Sequence, residues 1–233
     1  MISRHRVVPI VVACPLFLQN LDTSVMATAL PAIASSLNAQ VLHLNLAITS
    51  YLLSLAVFLP LSGWLADRLG ARRIFCLAIG LFSLGSALCG MAGSLSELVV
   101  FRLIQGMGGA LMVPVARLIL LRSVPTALMV SAMVWFTVPP TIGRMIGPLV
   151  GGAIVTWTSW RWIFLVNIPF GVLGIVAALY FIDESFEEGP RDRFDTQGFL
   201  LLAVGLTALL GALETVAKAV VPIWVTLVAA LVG

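Results

Sequence analysis

Gly63-Trp64-Leu65-Ala66-Asp67-Arg68-Leu69-Gly70-Ala71-Arg72-Arg73 stands between two long apolar runs. Its glycines and charges suit a chain that leaves one membrane span, reverses at the bilayer surface and re-enters through the next. Glycine permits the tight turn, and the arginines keep contact with water. Apolar runs on either side of it cover residues 7–33, 43–66, 74–93, 97–121, 129–155 and 162–182. A seventh covers 198–215, and an eighth begins near 220 and is still apolar at Gly233. Runs of about 20 residues are long enough to cross a hydrocarbon core. All are expected to be helices, since an open strand leaves its backbone unsatisfied in lipid.

Composition supports the same fold class, an all-α transmembrane protein. The 233 residues are 61% hydrophobic and 10% charged, with a mean hydropathy of +1.11. Soluble domains carry about 25% charged residues, so no soluble architecture accommodates this chain. The net charge of +3 comes without a basic patch, which argues against nucleic acid as a partner. Cys14, Cys76 and Cys89 fall inside spans with no zinc-like spacing and read as packing residues. No nucleophile–base set, metal cluster or phosphate loop is visible, and His5 and His43 fall at opposite surfaces, so an enzyme is not expected. The first run continues through Asp22 to Pro31 without a small-residue cleavage site, which favours a retained span over a signal peptide.

Basic residues in short loops set the orientation. Arg4, Arg6, Arg68, Arg72, Arg73, Arg122, Arg191 and Arg193 fall on one side, against Arg161 and Lys218 on the other. The amino terminus is therefore expected in the cytoplasm. The expected organisation is a six-helix unit at 1–182, a cytoplasmic loop at 183–197 and further helices at 198–233. Glu214 is expected near the outer end of the seventh span, at headgroup depth.

Polar residues inside the spans mark candidate chemistry. The first span contains Gln19-Asn20-Leu21-Asp22-Thr23-Ser24. Asp22 lies 15 residues beyond Val7, roughly 22 Å along the helix and past the midplane. A carboxylate there costs about 2.5–3.5 kcal/mol and almost always faces a cavity or a partner. Arg102 lies about 8 Å inside the fourth span, and Asp22 about 14 Å below the outer end of its own helix at Pro31. The two depths differ by roughly one helical turn, which an arginine side chain can bridge, so the two are expected to interact directly or through water. In the fifth span Gly143, Gly147, Gly151 and Gly152 flank Pro148, a small-residue face suited to close packing with a local kink.

These stretches resemble those of the major facilitator superfamily. Residues 63–73 are similar to its loop between the second and third helices. Leu21-Asp22-Thr23-Ser24-Val25-Met26-Ala27-Thr28-Ala29-Leu30-Pro31 resembles the first-helix signature of the drug:proton antiporter branches. Arg102-Leu103-Ile104-Gln105-Gly106-Met107-Gly108-Gly109 resembles the fourth-helix arginine motif, and Gly147-Pro148-Leu149-Val150-Gly151-Gly152 the fifth-helix antiporter motif. Trp160-Arg161-Trp162-Ile163-Phe164-Leu165-Val166-Asn167-Ile168-Pro169 resembles the start of the sixth helix in drug exporters. Phe194-Asp195-Thr196-Gln197-Gly198, leading into a further span, is similar to the fourteen-helix branch.

The resemblance implies the amino-terminal half of a multidrug:proton antiporter of a bacterial inner membrane. That half is built from two inverted three-helix units, too diverged for a repeat to be seen by eye, with a site at mid-membrane between the two halves. Asp22 and Arg102 would couple to protons. Gln19, Asn20, Thr23, Gln105 and Asn167 would line the substrate cavity, although Asn167 is equally suited to bonding helices together. Gly63, Asp67, Arg68, Gly70, Arg72 and Arg73 would form a gating loop that latches onto the other half. Burial favours a protonated carboxyl and a nearby guanidinium favours the ionised one, so a lipophilic cation could exchange for the proton on Asp22. The implied partners are lipid, protons, a small hydrophobic substrate and a missing carboxy-terminal half; the proton gradient takes the place of a cofactor, and no metal is implied. The chain would be a fragment or truncation, inactive alone. Export of a metabolite or siderophore, and a non-transporting half that assembles with a second chain, remain as alternatives. Arg144 departs from the motif, where Gly-Pro is common. It either faces the cavity and pairs with Asp22 or damages the transporter.

Overall fold

The computed structural model describes residues 4–184 and 194–217, all of them in helices and their connections. α1 covers Arg4–Ser36, α2 Val41–Phe58, α3 Leu61–Leu69, α4 Ala71–Met91 and α5 Leu95–Ser123. A 3-10 turn at Thr126–Leu128 leads into α6, Met129–Trp157. α7 (Arg161–Leu165) and α8 (Asn167–Phe181) together make one span, and α9 covers Thr196–Ala217. Five helices or helix pairs are long and apolar enough to cross a membrane, and the bent α2–α3 pair makes six. The eighth apolar run, Lys218, and Arg191 and Arg193 lie outside the described residues, as does the Glu214 side chain.

Two expectations near the opening motif are corrected. The run at 43–66 is not one straight span: α2 and α3 meet at a 54° bend. Pro60 lies at that break and has no N–H to donate to the preceding turn, so the helix changes direction there. Residues 61–69 are helical, so the reversal expected over 63–73 contracts to Gly70 alone. Gly70 has φ 94°, which favours glycine, and it caps α3 and α4 together.

At the other end of the bundle, α5 starts two residues earlier than the sequence suggests. Ser94 accepts a hydrogen bond from the Glu97 N–H at 3.2 Å, and the Glu97 carboxylate accepts one from Gly93 N–H at 2.8 Å. Together these satisfy donors that the helix start leaves orphaned. Arg161 does the complementary task for α4: its Nη1 donates to the carbonyls of Ala92 (2.9 Å) and Gly90 (3.3 Å). A cation at a helix carboxyl end also meets favourable partial charge.

Within the bundle, α1 lies along α6, α4 along α5, α5 against α2 and α8 against α4. Apolar clusters fill both ends, one around Phe75, Ile79, Phe82 and Met112, the other around Met26, Leu44, Leu98 and Phe164. α9 rests on α2, with Phe199 6.2 Å from Phe58 and Phe194 5.0 Å from Trp64. α6 is different from the rest: its buried residues are Ala132, Gly143, Gly147 and Gly151, and most of its surface is open.

A buried carboxylate–guanidinium site

Asp22 and Arg102 meet inside the bundle. Arg102 Nη1 donates to Asp22 Oδ2 at 2.6 Å, and their side chains are 1% and 0% exposed. Arg102 Nη1 also donates to Gln105 Oε1 at 2.7 Å. The other carboxylate oxygen, Asp22 Oδ1, accepts from Gln105 Nε2 at 3.2 Å and from Asn167 Nδ2 at 3.1 Å. Asn167 Nδ2 also donates to Ser86 Oγ at 2.9 Å, and Ser86 Oγ donates to the Phe164 carbonyl at 2.9 Å. Aromatic rings enclose the guanidinium, with Arg102 Cζ 4.8 Å from the centroid of Tyr51 and 5.3 Å from that of Phe164. Cation–π contact of this kind partly replaces the lost hydration.

The sequence dictates this convergence through residue size and spacing. Arg102 and Gln105 are three apart on α5 and so share one face. Gly106 lets α2 close onto that face, since a Cβ there would come within 2.6 Å of Ser54 Cβ and 2.8 Å of the Tyr51 carbonyl. Tyr51 is thereby brought under the guanidinium.

The site differs from an open cavity. Gln105 and Asn167 are buried and bind the Asp22 carboxylate. Gln19 is buried too, and its Nε2 donates to the Gly109 carbonyl at 3.2 Å. Asn20 and Thr23 are half-buried and bond back along α1, to the carbonyls of Leu16 and Gln19. Tyr51 Oη lies among Thr23 and Gln19, and Arg102 Nε is buried without a hydrogen-bond partner among the described residues.

Three of the four glycines on α6 lie against α1. A Cβ at Gly143 would come within 2.7 Å of the Phe17 carbonyl, one at Gly147 would overlap Ser24, and one at Gly151 would overlap Thr28. Ser24 Oγ donates to the Arg144 carbonyl across this seam at 2.8 Å. Gly152 does not belong to the packing face: it is exposed, and a Cβ there meets nothing within 4 Å. Pro148 is likewise exposed. Arg144 is exposed on α6 and does not pair with Asp22, whose two oxygens are occupied as described.

The charges around residues 63–73 find partners within the chain. Asp67 Oδ1 lies 3.0 Å from Arg122 Nη2 at the end of α5, and Arg68 stacks on Trp64 at 5.1 Å. Arg72 pairs with Glu184 at 2.7 Å and donates to the Ile182 carbonyl at 3.2 Å, while Arg73 lies 3.3 Å from Glu184. Gly63 is exposed, with room for a Cβ. Sequence reading missed Arg122 and Glu184 as partners here, and Tyr51 and Ser86 in the core. The signals available were a lone basic residue ending a span, an acid in a mixed-charge loop, and polar side chains within apolar runs.

Helices of membrane-spanning length enclose this buried acid–arginine pair, and comparison with known proteins supplies the family. The Major Facilitator Superfamily model matches residues 12–233, so the chain belongs to that superfamily. It is 48% identical over 204 residues to the putative multidrug resistance protein MdtD of Salmonella typhimurium, covering 88% of this chain and 43% of that protein. The putative MdtD of Escherichia coli O81 matches at the same identity and coverage. Among solved structures, the proton:xylose symporter XylE superimposes with a TM-score of 0.70 at 17% identity, covering 91% of this chain and 53% of that one. The chain thus spans about half the length of the relatives it matches. It is a multi-pass membrane protein of a transporter family.

Proposed function

We propose that this chain is the amino-terminal half of a proton-coupled efflux transporter for lipophilic compounds in a bacterial inner membrane, with its amino terminus in the cytoplasm. The described helices α1 to α8 make the six-helix half, and α9 follows it before a second half; the remainder of the divisions at 183–197 and 198–233 falls largely outside the described residues. The observation that carries this reading is the Asp22–Arg102 pair, buried at the junction of α1, α5 and α8. The similarity to MdtD supports export over import.

The pair works as a two-state proton site. In the arrangement seen here, Arg102 neutralises the Asp22 carboxylate. When the helices shift and the guanidinium withdraws, a buried carboxylate cannot stay charged at low cost and takes a proton on one oxygen. When Arg102 returns, the O–H bond breaks and the proton leaves to water while the ion pair reforms. Arg102 Nε, buried without a partner among the described residues, supports this reading, because a shift of the guanidinium can satisfy it. Gly63, Asp67, Arg68, Gly70, Arg72 and Arg73 act as the gating elbow between α3 and α4, where Asp67 joins Arg122, and Arg72 and Arg73 join Glu184.

The test is substrate-evoked proton release in vesicles containing the chain together with a second half. Asp22→Asn should abolish the release while leaving the protein folded. Release unchanged in that variant would remove Asp22 from the mechanism.

A further inference from the structure

We propose that Arg144 selects substrates carrying a negative charge, so that this transporter prefers lipophilic anions. The inference rests on the efflux reading above and assigns the substrate class.

Arg144 lies 15 residues after the start of α6 and 13 before its end, roughly 22 Å and 20 Å along the axis. Neither membrane surface is within reach of its side chain, so snorkelling does not account for it. Among the described residues no carboxylate lies within ion-pair distance of it. The carboxylate nearest in chemistry, Asp22, is enclosed and neutralised by Arg102.

The surface of α6 divides into three strips by helical spacing. Gly143, Gly147 and Gly151 face α1. Trp135, Val138, Ile142, Met145 and Leu149 form a wholly apolar exposed strip, suited to lipid. Arg144 belongs to the third strip with exposed Thr137, Thr141 and Pro148. That strip borders α1, where Asn20 and Thr23 are half-buried, so the polar residues of both helices line one side of the seam.

Toward the amino end of α6, Met129, Val130, Met133, Val134 and Thr137, with Val138 from the edge of the apolar strip, form a shallow open surface on that one helix. Methionines adapt to varied shapes. Thr137 is two helical turns from Arg144, roughly 10 Å. A lipophilic body lying along that surface therefore places its charged group toward the guanidinium. An anion supplies the missing counter-charge, whereas a cation meets a like charge.

The test uses the chain in lipid nanodiscs with two probes of nearly equal shape and opposite charge, tetraphenylborate and tetraphenylphosphonium. Equilibrium dialysis against empty discs of the same lipid removes partitioning into the bilayer. Tetraphenylborate should bind above that background. Arg144→Met should weaken it by roughly tenfold or more, as expected for losing a charged partner. Arg144→Lys should retain most of the affinity, and tetraphenylphosphonium should gain in Arg144→Met. Equal binding of both probes to every variant overturns the proposal, as does a loss in Arg144→Lys equal to that in Arg144→Met. Anion selectivity without any Asp22-dependent proton release would instead overturn the efflux reading and leave this one standing.

Discussion

Arg102 and Arg144 are both arginines deep in apolar helices, yet their surroundings are opposite. Arg102 is 1% exposed, paired with Asp22, bonded to Gln105 and covered by two aromatic rings. Arg144 is exposed on the helix whose interior packing consists of glycine and alanine. The first is held by the chain itself, and the second has no carboxylate within ion-pair distance among the described residues. Burial beside a counter-charge fixes a charge as part of the fold, whereas an exposed charge is not fixed in this way.

The contrast can be broken most forcefully at Arg102. Arg102→Met leaves a buried carboxylate without its counter-charge and should cost about 3–5 kcal/mol in detergent unfolding. Adding Asp22→Asn to that variant should recover much of the loss, because the uncompensated charge is gone. A single variant as stable as the parent would show that the ion pair does not form. Next in size, Gly147→Leu should cost about 1–3 kcal/mol by forcing α1 and α6 apart at Ser24. Gly152→Leu, one turn further and clear of α1, should cost far less; equal losses would show that the glycine strip is not the packing face.

A smaller effect is expected at Asp67, which is 59% exposed beside Arg122. Solvent screens such a pair, so Asp67→Asn should change unfolding by at most about 1 kcal/mol. If transport falls much further than stability, the residue serves gating more than folding. Smallest of all, Arg144→Met should leave unfolding within about 0.5 kcal/mol of the parent, since no packed contact is lost. A large destabilisation there would mean that Arg144 is structural, erasing the contrast with Arg102.

Much of this architecture was legible because the signals were strong and local. Apolar runs of span length placed the helices to within a few residues, and depth along two helices brought Asp22 and Arg102 within one helical turn, a gap the arginine side chain bridges. The bend was harder to see: Pro60 stood in plain view, but apolar periodicity continued across it and masked the change in direction. Helix α3 was hidden for the opposite reason, since charges and glycine read as a surface turn although the backbone stayed helical to Leu69. For Asn167 the sequence allowed either a cavity lining or a bond between helices, and for Gln105 the resemblance implied a cavity lining. Their buried bonds to Asp22 depend on three helices meeting, which no single stretch encodes. The partners Arg122 and Glu184 required contacts across the fold, 55 and more than 100 residues from the groups they hold.

The central claim, that Asp22 alternates between a carboxylate held by Arg102 and a protonated acid, is tested most directly by infrared difference spectroscopy on substrate addition. The account predicts that substrate added to the proton-loaded state, in which Arg102 has withdrawn, removes a protonated carboxyl stretch and adds a carboxylate band, and that Asp22→Asn eliminates both changes. A spectrum in which those bands persist in Asp22→Asn, or in which the parent shows no carboxyl change while transporting, would contradict it.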